Sequence, residues 1–175
     1  SSTHMWGRET KEILEQARAS TALLLSCSPQ SIIFNSGATE GNSSLIQSIV
    51  NQSTQRMPEI ITSTIEHSSI RNPCHALEAE KKAIIHRIPC NKSGLINPAD
   101  IEAACNDSTV LISIQHANNE IGSIQPLKEI GEIAQNNTIL FHSDAVQTIS
   151  KHPVDVSEIG CDFMSISSHK IYGPP

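Results

Sequence analysis

Lys170 has the clearest chemical potential in this sequence, because it follows an apolar run and the small pair Ser167-Ser168. A lysine amine held in a cleft can lose its proton and form a Schiff base with an aldehyde. An isolated lysine is most often a solvated surface residue, so Lys170 alone does not predict a site. Other apolar runs, however, are also followed by small, polar or ionisable residues. The side chains and backbone groups of these residues could bind other parts of a ligand that reacts with an amine.

Three further segments supply this complementary chemistry. The segment 36–39, Ser-Gly-Ala-Thr, opens a predicted helix and lets backbone N–H groups approach an anion, although it also fits an ordinary capped helix start. His67 follows a predicted strand and could stack on an aromatic ligand or carry a proton, but a lone histidine is commonly a structural residue. Asp144 and Gln147 lie past another strand, where a carboxylate could hold a heteroaromatic nitrogen protonated or simply cap a helix.

Taken together, these groups match the needs of pyridoxal 5'-phosphate (PLP). The set comprises an amine, an anion cradle, a histidine that could stack on a ring and a carboxylate for a pyridine nitrogen. The segment 36–39 lacks the spacing of a GxGxxG or Walker A loop, so the sequence does not predict a nicotinamide site or a P-loop.

Apolar periodicity predicts the elements that would position these residues. The predicted helices span 8–25, 40–50, 70–81, 98–105 and 126–135, and the predicted strands span 31–35, 59–63, 83–88, 109–114, 139–142 and 163–167. Their alternation predicts a three-layer α/β/α fold with a mostly parallel central sheet. Ligands of such sheets bind beyond the carboxyl ends of the strands, where the candidate residues fall. The strand 83–88 is followed by Pro89 and Cys90, so we expect it to lie aside from the site.

Composition limits the function classes. The length of 175 residues suits one domain. The formal net charge of −6 comes with no basic stripe that could bind a nucleic acid. No apolar run approaches the roughly 18 residues of a membrane helix. We therefore expect a cytoplasmic protein with reduced thiols and no bound metal, because its odd number of cysteines forms no CxxC pair. These cysteines are Cys27, Cys74, Cys90, Cys105 and Cys161.

The motifs resemble the fold-type I, class V aminotransferase superfamily, and within it the cysteine desulfurases of the NifS/IscS type. The matching segments are 1–4 with 7–8, 36–42, 64–67, 116–122, 142–147 and 167–174. The run Asn118-Asn119-Glu120-Ile121-Gly122 is more specific to the NifS/IscS branch than the other segments are. The resemblance extends along the full chain, with the segments in the family's order.

The resemblance implies a role for each matching residue. Lys170 would form a Schiff base with PLP, His67 would stack on the ring and assist proton transfer, and Asp144 would pair with the pyridinium nitrogen. Gln147 and Asn119 would lie near the ring hydroxyl, and Asn119 would also approach the substrate. The residues implied to hold the phosphate are Ala38, Thr39, Ser167 and His169.

The resemblance also implies an activity and partners. A cysteine desulfurase converts L-cysteine to L-alanine, leaves a persulfide on a loop cysteine, works as a homodimer and passes sulfur to an acceptor or iron–sulfur scaffold protein. Family chains are longer, so residues 1–175 are predicted to form part of the PLP-binding large domain, without the N-terminal arm or the C-terminal small domain. The small domain carries the nucleophilic cysteine loop and the arginine that binds the substrate carboxylate. None of the five cysteines matches that nucleophile, and we expect no turnover by this chain alone.

Two alternatives to this prediction stay open. The chain could be a non-catalytic PLP-domain fragment, which is compatible with descent from a cysteine desulfurase. It could also belong to another class V enzyme, such as a selenocysteine lyase, a kynureninase-like enzyme or an aminotransferase. The Asn118-Asn119-Glu120 run favours the desulfurase.

Overall fold

A computed structural model describes residues 4–173 of the chain. Ser1, Ser2, Thr3, Pro174 and Pro175 lie outside the described residues. The parts of the family resemblance that rest on 1–3 and on Pro174 therefore have no structural description.

Parallel strands alternate with helices along the described chain. The strands are β1 (Glu59–Ser63), β2 (Ile84–Ile88), β3 (Thr109–Ser113), β4 (Leu140–Asp144) and β5 (Phe163–Ser165). The α-helices are α1 (Met5–Leu25), α2 (Ala38–Gln52), α3 (Ser68–Ala79), α4 (Pro98–Ala104), α5 (Leu127–Asn136) and α6 (Val156–Ile159). Short 3₁₀ turns cover Pro29–Ser31 and Ser168–Ile171. All five predicted helices are confirmed with small shifts of their ends, whereas the four-residue α6 is too short to show a helical period.

The sheet has the order β2-β1-β3-β4-β5, and every neighbouring pair is parallel. Its central strands are apolar and buried, as expected for a sheet that is covered on both faces. On one face, α2 and α3 contribute Ile46 and Ile70 to a core cluster, and on the other α4 and α5 contribute Ile101 and Ile130. The predicted three-layer α/β/α fold is therefore confirmed.

The predicted strand over 31–35 is wrong. The segment 32–35 has no assigned regular structure and pairs with no strand among the described residues, so its backbone joins no ladder. Its contacts run to α1 instead, where the Arg18 guanidinium donates to the carbonyl oxygen of Ile32 and lies 5.0 Å from the centre of the Phe34 ring. Ile33 is 84% exposed. A short β-branched run predicts a strand only if a partner strand lies beside it, and local sequence does not contain that information.

The order of the strands creates a reversal point in the sheet. The chain crosses from β1 to β2 on one side and then returns to place β3 on the other side of β1. In open parallel sheets, such a reversal leaves a crevice at the carboxyl ends of the strands, and ligands bind there. The strand β2 lies at the edge, and the residues after it, Pro89 and Cys90, do not line the cavity described below. The prediction that this strand lies aside from the site is confirmed.

Two features are absent from the described range 4–173. None of its helices combines the length and the apolar character that crossing a membrane requires. No group of three or more His, Cys, Asp or Glu side chains in that range comes together as a possible metal site.

Candidate active site

A cavity of about 400 Å³ lies where β1, β3, β4 and β5 end. This volume falls within the range of small-molecule sites, roughly 300–1,000 Å³. All nine candidate residues line it: Ala38, Thr39, His67, Asn119, Asp144, Gln147, Ser167, His169 and Lys170. The structure thus brings together residues that are far apart in sequence, while the role of each residue remains a prediction.

The start of α2 forms one wall of the cavity. Gly37 precedes the helix with a φ of 148°, a backbone conformation that favours glycine, and no side chain caps the helix. The backbone N–H of Ser36 donates to Glu40 Oε2 at 2.7 Å. The Ser36 side chain, and after it this backbone bond, lower the pKa of Glu40. The N–H groups of Ala38 and Thr39, in the first turn, have no acceptor within residues 4–173. These donors, at the positive end of a 15-residue helix, suit a phosphate.

His67 lies on the cavity wall as the N-cap of α3. Its Nδ1 accepts a hydrogen bond from the backbone N–H of Ser69 at 3.2 Å and lies 2.9 Å from Ser69 Oγ. A ring nitrogen that accepts from a backbone N–H is unprotonated, so the proton of the neutral ring belongs on Nε2. The ring is therefore fixed by the helix start and leaves Nε2 for a ligand.

Asp144 is the last residue of β4 and is 7% exposed. Its carboxylate accepts from the N–H of Val146 at 3.1 Å and from Asn42 Nδ2 at 3.0 Å. Burial raises the pKa of Asp144, although these hydrogen bonds and the nearby His67 act in the opposite direction. Within the described residues no lysine or arginine forms an ion pair with it. A cationic N–H brought to this carboxylate would stabilise its charged form.

The segment after β5 forms a tight turn that presents Lys170. The Lys170 N–H donates to the carbonyl of Ser167 at 3.2 Å, and Ser167 Oγ lies 2.7 Å from Nδ1 of His169. Lys170 is exposed, and no carboxylate of residues 4–173 forms an ion pair with its amine. The amine is therefore available to react with a group in the cavity.

Asn119 and Gln147 complete the predicted set. Asn119 is exposed on the loop after β3, and Asn118 shapes this loop by accepting from the backbone N–H groups of Glu120 and Ile121 at 2.8 and 3.0 Å. Gln147 is half-buried, and its Oε1 accepts from the Lys151 amine at 3.2 Å. Asn118 thus supports the loop that presents Asn119.

Sequence reasoning assigned no role to four polar residues at or behind this wall. Gln115 and Ser69 line the cavity, whereas Asn42 and Glu66 are buried behind it. Glu66 Oε1 accepts from Ser63 Oγ at 2.6 Å and from the N–H of Gln115 at 3.0 Å. Burial raises the pKa of Glu66 to about 8. Gln115 has a sequence signal, its position directly after a predicted strand, whereas the burial of Asn42 and Ser69 inside helices leaves no such mark in the sequence.

A comparison with known families decides the classification. The model for aminotransferase class-V matches residues 1–175, which is the whole chain. The chain belongs to the class-V aminotransferase family. Members of this family, including the cysteine desulfurases, are PLP-dependent.

Named relatives within the class-V family are cysteine desulfurases. The chain is 44% identical to cysteine desulfurase IscS of Dictyoglomus turgidum over 99% of its own length and 44% of that relative. It is 42% identical to cysteine desulfurase of Homo sapiens over 99% of its length and 38% of that relative. The chain therefore spans less than half the length of these two class-V relatives.

Solved structures show the same class-V fold. A structure of SspA in complex with cysteine superposes with a TM-score of 0.94 at 36% identity, covering 99% of this chain and 50% of that one. A NifS-like protein gives a TM-score of 0.94 at 34% identity, covering 99% of this chain and 48% of that one. The predicted resemblance to the NifS/IscS type is thereby confirmed.

The residues of the cavity fit the PLP of class-V enzymes. PLP presents a phosphate, an aldehyde and a pyridine nitrogen. Among residues 4–173, the N–H groups of Ala38 and Thr39 have no acceptor, the Lys170 amine has no ion-pair partner, and the buried Asp144 carboxylate has no cationic partner. Each chemical feature of the cofactor therefore has a matching group on this wall.

Proposed function

We propose that residues 1–175 form the PLP-binding part of a cysteine desulfurase, which removes sulfur from L-cysteine and leaves L-alanine. The observation that carries the proposal is that one cavity contains Lys170, Asp144 and the start of α2. The relatives named cysteine desulfurase and the neighbour in complex with cysteine favour this amino acid as substrate.

The side chains divide the work by chemistry. Bound PLP supplies an electron sink for the substrate carbon. Lys170 supplies the amine that holds the cofactor, and Asp144 keeps a proton on the ring nitrogen. His67 would present Nε2 to the ring and to protons in transit, and Asn119 and Gln147 would lie near the ring hydroxyl, with Asn119 also close to substrate.

The phosphate of the cofactor is assigned to two segments of the chain. Ala38 and Thr39 offer the uncommitted N–H groups at the start of α2, and the hydrogen-bonded pair Ser167 and His169 adds side-chain donors. In this cradle the phosphate would lie at the positive end of the helix, where the helix dipole and the N–H groups would act on the same charge.

Residues 4–173 supply no thiol to the cavity, because none of their five cysteines lines it. Burial raises the pKa of Cys74 to about 12 and that of Cys161 to about 11, and it also raises the pKa values of Cys27 and Cys105. A thiol with a raised pKa is a poor nucleophile because the thiolate reacts. We therefore propose that the chain alone forms no persulfide and that the sulfur is taken by a thiol outside these residues.

Partners and location belong to the same proposal. By family, we propose a homodimer that delivers sulfur to an acceptor or an iron–sulfur scaffold protein. We also propose a cytoplasmic location from the reduced cysteines. A relative from Candida maltosa, 45% identical over 99% of this chain and 36% of that relative, is named mitochondrial.

Cofactor binding and substrate choice test the function. PLP is titrated into the chain and followed by its visible absorption, and then L-cysteine, L-serine or L-alanine is added. We expect PLP to bind, and we expect L-cysteine to change the spectrum more than the other two. The Asp144→Asn variant keeps the size but cannot hold a charged ring nitrogen, so we expect roughly tenfold weaker binding or more.

The matched control is Asp107→Asn, which changes an exposed aspartate away from the cavity and should bind PLP as the unmodified chain does. A chain that binds no PLP would contradict the proposal. A spectrum that responds equally to all three amino acids would contradict the assignment to cysteine.

A further inference from the structure

A chain of hydrogen bonds runs behind the cavity wall and joins His67 to Asp144. Nδ1 of His67 lies 2.9 Å from Ser69 Oγ, which accepts from Asn42 Nδ2 at 2.9 Å. The second hydrogen of the same Asn42 amide goes to Asp144 Oδ2 at 3.0 Å. Asn42 is completely buried and Ser69 is nearly so. Two residues with no assigned role thus connect two candidate groups of the site.

The direction of each bond follows from the donor inventory. Nδ1 of His67 already accepts from the Ser69 backbone N–H, so the Ser69 hydroxyl must donate to it as well. The hydroxyl oxygen is then left to accept, which matches the NH₂ group of Asn42. Both donors to Nδ1 come from Ser69, and both exclude a proton from that nitrogen.

The observed orientation of the Asn42 amide suits an ionised Asp144, because the NH₂ group faces the carboxylate. If the amide were turned over, its oxygen would face the carboxylate, and two acceptors would meet in a buried place. In the observed orientation Oδ1 has no partner within residues 4–173. Oδ1 thus stays without a partner there, while both hydrogens of the amide are used, one by Ser69 Oγ and one by Asp144 Oδ2.

We propose that Asn42 and Ser69 are positioning residues that hold His67 as its Nε2–H tautomer and Asp144 as a carboxylate. They act together, because one amide serves both the serine hydroxyl and the carboxylate. The value of this arrangement to catalysis rests on the proposed function, in which both groups serve bound PLP. The hydrogen bonds themselves belong to the chain without cofactor, so they can be tested without activity.

The test reads the His67 ring directly. The chain, labelled with ¹⁵N-histidine and free of PLP, is measured at pH 8 by long-range ¹H–¹⁵N correlation, and the His67 signals are assigned by their loss in His67→Gln. We expect an unprotonated Nδ1 and a protonated Nε2. In Ser69→Ala and in Asn42→Ala the backbone N–H of residue 69 still donates to Nδ1 at 3.2 Å, but the shorter hydroxyl bond is lost or released. We expect a minority of the rings then to take the Nδ1–H form, so the two nitrogen shifts should move toward each other.

Two further variants separate positioning from a general structural effect. Ser69→Thr keeps the hydroxyl and should restore the tautomer of the unmodified chain. Ser68→Ala removes a neighbouring hydroxyl that makes no hydrogen bond within residues 4–173 and should change nothing. Thermal melts check folding, and Ser69→Ala still decides the matter if the fully buried Asn42→Ala does not fold.

PLP affinity gives a second readout. Asn42→Ala should bind PLP roughly tenfold more weakly, because the Asp144 carboxylate loses one hydrogen bond to its charged form. A chain that binds no PLP overturns the proposed function but leaves the tautomer result in force. A protonated Nδ1 in the unmodified chain, or unchanged tautomers in both alanine variants, would overturn the positioning role.

Discussion

Replacing Glu66 by glutamine should change how the stability of the chain depends on pH. Glu66 is buried beside the site, its Oε1 accepts from Ser63 and Gln115, and its Oε2 has no partner within residues 4–173. Burial is the main cause that raises the pKa of Glu66 from 4.5 to about 8, with the charge of Asp144 acting in the same direction. Glutamine copies the shape of the protonated side chain and keeps the oxygen that accepts.

The magnitude follows from linkage between protonation and folding. Between pH 4.5 and about 8 the folded chain holds a proton on Glu66 that the unfolded chain has released. The free energy of unfolding therefore falls as pH rises through this window, by about 1.4 kcal/mol per pH unit, and levels off above it. Between pH 4.5 and pH 7 the loss is on the order of 3 kcal/mol. The Glu66→Gln variant lacks this loss.

Urea unfolding at pH 5, 6, 7 and 8 measures the effect. The buried NH₂ of the glutamine costs about 1–3 kcal/mol at every pH, so the informative quantity is the change in the difference between variant and unmodified chain. We expect that difference to move in favour of Glu66→Gln by several kcal/mol from pH 5 to pH 8. Glu132→Gln, an exposed control, should show no such trend. A difference that is constant over this range would refute the reasoning.

Three other predictions come from buried groups. Burial lowers the pKa of His142 from 6.5 to about 4, so stability should fall by about 1.4 kcal/mol per unit as pH drops through that window, and His142→Asn should flatten the urea midpoints there. Gly131→Ala places a Cβ 2.1 Å from the carbonyl oxygen of Ile159 and should lower the free energy of unfolding, measured by thermal melts, by about 2 kcal/mol. Gly41→Ala should lower it less, because its Cβ meets only the end of the Asn35 side chain. Cys74, 1% exposed with a pKa of about 12, should resist iodoacetamide until the chain unfolds, whereas alkylation in the folded chain would contradict its burial.

The order of strands and helices was predictable because apolar periodicity is local. The strands β1 and β3 begin where the sequence predicts, since their Ile- and Val-rich runs are bounded by polar residues. The segment 31–35 has the same local pattern but pairs with no strand among residues 4–173, and pairing depends on distant parts of a chain. The prediction failed where tertiary context decides the structure.

The candidate site was predictable to the extent that parallel strands bring their carboxyl ends to one edge. This rule, with the family resemblance, selected Lys170, Asp144 and His67, and all three line one cavity. The sequence could not reveal Asn42 and Ser69, because their importance depends on the register between α2, α3 and β4. The Asn42 amide donates to the carboxylate of Asp144, which lies 102 positions further along the chain, and no spacing rule relates these two residues.

Covalent trapping of the cofactor tests the central claim most directly. The chain is mixed with PLP, reduced with borohydride and digested, and the peptides are examined by mass spectrometry. We predict a pyridoxyl group on Lys170, its loss in Lys170→Ala and its retention in Lys128→Ala, which changes an exposed lysine outside the cavity. A pyridoxyl group on other lysines in preference to Lys170, or no adduct at all, would contradict the assignment of this cavity to PLP.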